Sequence, residues 1–141
     1  MFTGADYVAI QHLIWRYADL LDRGLVEEAG TLFDACDFYL GDDAVPVSPD
    51  GANRMAPIFR EWMSMFPQSG GRPLTRHVTT NVIIAPNRAD EAAAQSVVFV
   101  FQSDDQRNMR SVVAGNYEDR FRRVDGRWQF AERRLRPFGA F

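Results

Sequence analysis

The chain has 141 residues, the length of one ordinary domain, and we predict a single domain over residues 1–141. Hydrophobic residues make up 46% of it, including 11 Phe, 3 Trp and 4 Tyr, enough for a core and an internal cavity. The net charge of −3 argues against nucleic acid or a membrane as a partner, because an anionic partner would require a basic surface. All 16 basic residues are arginine, which excludes catalysis through a lysine Schiff base.

Cysteine and histidine are too scarce for a disulfide or a structural zinc site. Cys36 is the only cysteine, and the chain has 2 histidines. No segment approaches the ~20 apolar residues of a membrane span, and the N-terminus lacks the pattern of a signal peptide. We therefore expect a cytoplasmic protein with no metal and no cofactor.

The first half of the chain is predicted to be mostly helical. A first helix over residues 5–23 should bury one apolar stripe, and Gly24 is placed to end it. A short helix at 25–34, a brief strand at 37–40 and a loop at 41–52 follow. The third helix, 53–66, carries an apolar stripe that can form core or the roof of a cavity: Met55, Phe59, Trp62, Met63 and Phe66.

The second half alternates as strands do. Strands are predicted at 75–85, 91–102, 110–124 and 127–136, separated by turns at 86–90, 104–106 and Asp125-Gly126. Helices followed by an antiparallel meander define an α+β domain.

Two residues far apart in sequence are the main candidates for chemistry. Asp22 closes the first helix, and His77 lies in the strand-like run 75–81. A carboxylate that orients an imidazole makes it a better general base near neutral pH. If the strand has no bulge, alternation places Asn81 on the same polar face as His77.

Three stretches resemble the SnoaL-like branch of the nuclear-transport-factor-2-like superfamily: 14–24, 77–81 and 115–130. The resemblance implies a cone-shaped α+β barrel, in which a strongly curved, mostly antiparallel sheet is wrapped by three N-terminal helices around a deep apolar pocket. Members include scytalone dehydratase, bile-acid dehydratase, hexachlorocyclohexane dehydrochlorinase and non-catalytic domains.

The resemblance also implies roles for individual residues. Asp22 and His77 fall on the positions of the catalytic dyad, and Tyr17 matches a tyrosine of the bile-acid enzyme. We expect a cofactor-independent lyase, of dehydratase or dehydrohalogenase type, with isomerase activity as a variant. The substrate would be small, hydrophobic and cyclic. The residues expected to bind it are Arg136, Phe59, Trp62, Asn81 and Phe99. Relatives form dimers or trimers, which implies a homo-oligomer.

Simpler interpretations remain open at this level. His77 can be a half-buried strand residue, Tyr17 a core residue, and the arginines that end the last strand can serve to deter edge pairing. The alternative function is a small-ligand-binding or assembly domain of the same fold without catalysis. A ketosteroid-isomerase-like site with a carboxylate base ranks last.

Overall fold

The structure is a computed structural model that describes residues 1–104 and 106–138. It contains three helices, α1 (Gly4–Asp22), α2 (Val26–Thr31) and α3 (Ala56–Ser64). Its strands are β1 (Asp37–Leu40), β2 (Gln68–Ser69), β3 (Arg72–Pro73), β4 (Thr75–Arg88), β5 (Glu91–Ser103), β6 (Met109–Val124) and β7 (Arg127–Pro137). The predicted turn at 104–106 includes Asp105, which lies outside the described residues.

The main sheet has five strands in the order β1-β7-β6-β5-β4. Strands β4 to β7 form an antiparallel meander, and β1 pairs in parallel with β7. The first and last strands of this order are not joined to each other, so the sheet is open rather than a closed barrel. The expected α+β architecture of three helices on a curved, mostly antiparallel sheet is confirmed.

Helix α1 is fixed at both ends by local interactions. At its start, the Thr3 backbone N–H and hydroxyl both donate to Asp6 Oδ2, at 2.7 and 2.9 Å. The other oxygen of Asp6 accepts from Trp128 Nε1 at 2.8 Å, which ties the helix to β7. At its end, Gly24 adopts a φ of +74°, a conformation that glycine takes without steric cost. These anchors set where Asp22 lies against the sheet.

The core fills the space between the helices and the concave face of the sheet. Its buried side chains are mostly aromatic and aliphatic, and they include Phe33, Phe38, Phe59, Phe121 and Phe130. On β5 the buried residues alternate, with Val98 and Val100 facing inward. Phe99 therefore lies on the convex face of the sheet.

A bulge in β4 overturns one prediction about its faces. The pairing with β5 shifts between Thr80 and Ile83, and Asn81 takes a φ of +52°. Because the bulge inserts an extra residue, the side chains beyond it change face. Val82 packs against the core, whereas Ile83 is 67% exposed. The prediction that Asn81 shares the face of His77, which assumed a strand without a bulge, is therefore wrong.

Within the described ranges, none of the helices combines the length and hydrophobicity that a bilayer crossing requires.

Candidate functional site

The structure brings Asp22 and His77 into direct contact. His77 Nδ1 lies 2.6 Å from Asp22 Oδ1, and the His77 backbone N–H donates to Oδ2 at 2.8 Å. Thr75 donates its hydroxyl to Oδ1 at 3.0 Å. The contact forms where the end of α1 packs against the beginning of β4, and both side chains are almost completely buried.

This arrangement fixes the tautomer of His77. An ionised Asp22 only accepts hydrogen bonds, so the Nδ1 atom that faces it carries the proton. The Nε2 atom of a neutral imidazole then keeps its lone pair and can accept a proton. Thr75 and the backbone N–H of His77 hold the carboxylate in place, a supporting role that the sequence did not reveal. The geometry is therefore one in which a carboxylate orients an imidazole, as general-base chemistry requires.

An apolar cavity of about 320 Å³ adjoins His77. Its walls come from α1, α3, β1 and the concave face of the sheet. They carry few polar groups, the side chains of His77, Tyr17 and Tyr117. The remaining lining is hydrophobic: Leu40, Trp62, Met63, Met65, Phe66, Val100, Val113 and Leu135. Such a surface suits a small hydrophobic molecule that carries polar atoms on one side.

Tyr17, which the resemblance matched to a tyrosine of the bile-acid enzyme, lies beside His77. Its ring centroid is 6.2 Å from that of His77, and only 3% of the residue is exposed. Burial raises the pKa of the Tyr17 hydroxyl well above its usual range, and the neighbouring Tyr117 raises it further. Tyr17 is therefore protonated at neutral pH and can act as a hydrogen-bond donor.

Tyr117 is a cavity residue that the sequence analysis missed. Strand β6 buries alternate side chains, and Tyr117 belongs to that inward set together with Asp119 and Phe121. Burial raises the pKa of its hydroxyl as well. The alternation of side chains within 115–121 is the signal in the sequence that could have found it.

Beneath the two tyrosines lies a buried ion pair. Arg133 donates from Nε and Nη2 to the two oxygens of Asp119, both at 2.7 Å, and neither side chain is exposed. The Arg133 guanidinium carbon is 3.7 Å from the ring centroid of Tyr117 and 4.9 Å from that of Tyr17. Burial disfavours the charge and lowers the pKa of Arg133, but the Asp119 carboxylate raises that pKa by more, so Arg133 stays a cation.

The structure does not bring Arg136 to the cavity. Arg136 lies on the convex side, where it donates to Glu118 at 2.7 Å and to Asp42 at 2.5 Å. Its two carboxylate partners account for its position, and its side chain is part of the surface. The arginine of β7 that lies under the site is Arg133.

The other residues expected to bind substrate divide into two groups. Trp62 lines the cavity, and Phe59 supports it from behind, fully buried against Trp62 and Tyr17. Phe99 and Asn81 are not part of the lining, because one occupies the convex face and the other the bulge. The structure therefore assembles Asp22, His77, Tyr17 and Trp62 from the predicted set.

No group of three or more histidine, cysteine or carboxylate side chains is clustered as a metal site in the described part of the chain. Cys36 is buried in the core, and burial raises the pKa of its thiol far above the usual range. The ionisable side chains among the described residues that line this cavity are one imidazole and two phenols.

Comparison with known proteins identifies the family to which this chain belongs. The model of the SnoaL-like domain matches residues 3–134. The chain therefore belongs to the SnoaL-like domain family. A search of curated proteins gives no match.

Solved structures with the same fold include both enzymes and subunits. A candidate scytalone dehydratase from Novosphingobium aromaticivorans is 25% identical with a TM-score of 0.73, covering 96% of this chain and 85% of that one. LinA is 18% identical with a TM-score of 0.73, covering 96% and 87%. The beta subunit of a candidate aromatic-ring-hydroxylating dioxygenase, also from N. aromaticivorans, is 22% identical with a TM-score of 0.72, covering 95% and 90%.

Proposed function

We propose that this protein is a cofactor-independent lyase, of dehydratase or dehydrohalogenase type, that acts on a small hydrophobic cyclic substrate. The observation that carries the proposal is the 2.6 Å contact between Asp22 and His77 at the wall of an apolar cavity. The likeness to a candidate scytalone dehydratase supports the same class of reaction.

The proposed reaction begins with proton removal. His77 Nε2 takes a proton from a substrate carbon, and the electron pair of that C–H bond forms a carbon–carbon double bond. The leaving group departs from the adjacent carbon with its bonding pair. Asp22 stabilises the imidazolium that forms. If hydroxide leaves, the proton on Nε2 passes to it, which releases water and restores neutral His77.

The surrounding residues support this chemistry without taking part in covalent steps. The apolar walls exclude water from the reacting atoms, which strengthens each polar interaction within the cavity. Tyr17 donates a hydrogen bond to a substrate oxygen or to the leaving group. Trp62 and the methionines around it provide a surface for an apolar ring.

The test is turnover of a panel of cyclic β-hydroxy ketones and cyclic alkyl halides, followed by product absorbance and mass spectrometry. The His77→Ala variant should lose activity by about 10²–10⁴-fold. His12→Ala is the matched control, because His12 is the other histidine and is exposed on α1. His77→Ala turnover equal to that of the His12→Ala control would refute the proposal.

A non-catalytic assembly role is the alternative, favoured by the convex face of the sheet. Val78, at 44% exposed, and Phe99 lie opposite each other there on β4 and β5, outside the core. We propose that this face mediates homo-oligomer formation, as a dimer or trimer. Light scattering after size exclusion should give a multiple of the 16.1 kDa chain mass, and Val78→Asp should lower it. Oligomer formation without any His77-dependent turnover would favour the assembly role.

A further inference from the structure

Tyr117 holds a second phenol hydroxyl in the cavity, and nothing in the proposed mechanism uses it. It projects from β6, across the cavity from α1, which carries Tyr17. The two ring centroids are 6.2 Å apart at an interplanar angle of 82°. Only 3% of each residue is exposed, so the two hydroxyls are held within the protein rather than at its surface.

The two hydroxyls interact with each other inside the protein. Burial raises the pKa of both hydroxyls, and a hydrogen bond between the Tyr17 and Tyr117 side chains raises the pKa of Tyr17 further and lowers that of Tyr117. Both residues line the apolar cavity next to His77. Two protonated donors beside a base form a binding site for an acceptor oxygen.

The cation under the rings makes these hydroxyls stronger donors. The Arg133 guanidinium lies against the face of Tyr117 and near that of Tyr17, and its positive charge offsets part of the rise in pKa that burial causes in each. Arg133 itself does not line the cavity. It is therefore a positioning residue, fixed by Asp119, that would favour negative charge on an atom bound to the phenols.

We propose that Tyr117 is a further catalytic residue and that Tyr17 and Tyr117 together bind one carbonyl oxygen of the substrate. This inference rests on the proposed function and names its substrate class, a neutral cyclic ketone. When His77 removes the proton next to the carbonyl carbon, the C–H electron pair forms the enolate double bond and the carbonyl π pair moves to oxygen. The two phenols stabilise that oxyanion. Its return to a carbonyl then expels the leaving group from the next carbon.

Binding of substituted phenols tests the oxyanion site without turnover. A series of rising acidity, from phenol to 4-nitrophenol, carries an oxygen on a ring and mimics an enolate once ionised. Affinity is measured by calorimetry for the wild type and for Tyr17→Phe, Tyr117→Phe and the matched control Tyr39→Phe. Tyr39 packs its ring on Arg134. Toluene, which has no oxygen, is the control ligand.

Each cavity variant should weaken phenolate binding by about 10-fold to 100-fold, because a donor to a charged oxygen is lost. Toluene affinity and the Tyr39→Phe variant should be unchanged. The substitution of Tyr117 by Phe keeps the ring on Arg133, so the melting temperature should stay within a few degrees. Tyr117→Phe binding of 4-nitrophenolate with wild-type affinity overturns the inference, as does an equal loss of toluene binding.

His77→Ala separates this inference from the proposed function. Removing the imidazole should abolish exchange of the α-protons of cyclohexanone into D₂O but retain the dependence of phenolate binding on Tyr117. Tyr117-dependent binding together with no His77-dependent exchange or turnover would support the oxyanion site and refute the lyase. The reverse pattern would support the base and refute the role of Tyr117.

Discussion

Replacing Arg133 by methionine should destabilise the fold more than any comparable change on the surface of β7. The substitution leaves the Asp119 carboxylate buried at 0% side-chain exposure, with both of its guanidinium hydrogen bonds removed. Breaking a buried ion pair in this way costs about 3–5 kcal/mol. Since a domain of this size is stable by roughly 5–15 kcal/mol, the variant should lose a large share of its stability.

Arg136→Met is the matched control on the same strand. Arg136 also contacts two carboxylates, but its side chain is 38% exposed, so water screens both pairs. Exposed pairs contribute at most about 1 kcal/mol. Urea unfolding followed by circular dichroism gives both values, provided that the two variants keep the same dependence on denaturant.

The ionisation of Asp119 provides a second readout. Burial already raises its pKa, and loss of the neighbouring cation would raise it further in the folded state. A carboxyl group whose pKa is higher in the folded protein than in the unfolded chain stabilises the fold at pH values below its unfolded-state pKa. That stabilisation is lost as the pH rises toward the folded-state pKa. The deficit of Arg133→Met should therefore shrink as the pH is lowered toward the unfolded-state pKa of about 4.

Adding Asp119→Leu to Arg133→Met should recover much of the loss, because no unpaired charge then remains. A deficit below about 1 kcal/mol in the single variant, equal to that of Arg136→Met, would refute the reasoning.

Three further predictions concern the dyad, the helix start and the bulge. Asp22→Asn should lower kcat by about 10²–10⁴-fold in steady-state assays, because the amide cannot accept every hydrogen bond that the carboxylate accepts and no longer balances an imidazolium; a wild-type rate would contradict this. The Trp128 and Thr3 hydrogen bonds lower the pKa of Asp6 to about 2. The unfolding midpoint should therefore fall as the pH drops from about 4 to about 2, and Asp6→Asn should remove that slope, with Asp19→Asn as the exposed control. Asn81→Val should cost about 1–2 kcal/mol because its φ is +52°, whereas Asn81→Gly should be neutral or stabilising; equal urea midpoints would contradict this.

Local patterns were enough to predict most of the elements. The apolar spacing of α1, the glycine at position 24 and the alternation of the long strands can each be recognised from a few neighbouring residues. The pairing of Asp22 with His77 cannot be recognised from local sequence, because 55 positions separate the two residues. Resemblance to a family supplied that pairing, and the structure brings the two side chains together.

The errors of prediction arise where a strand changes face. Asn81 tolerates a positive φ, but nothing local required a bulge there, so simple alternation placed the residues beyond it on the wrong side. The same difficulty affects β7, whose pairing with β6 shifts between Arg120 and Phe121. Arg133 and Arg136 are three residues apart, and only tertiary packing decides which of them faces inward.

Two buried charges of opposite sign, Asp22 and Arg133, lie on different sides of the cavity. Asp22 supports the imidazole from one side, and Arg133 supports the two phenols from another, so a carboxylate stands behind the base and a cation behind the donors. Their effects on Tyr117 are opposite, since Arg133 lowers the pKa of its hydroxyl and Asp22 raises it. A reaction that moves a proton toward His77 and negative charge toward Tyr117 is stabilised at both ends. Under the proposed mechanism, this arrangement would favour elimination through an enolate over loss of a leaving group from an unactivated carbon, because only the enolate places charge where the phenols lie.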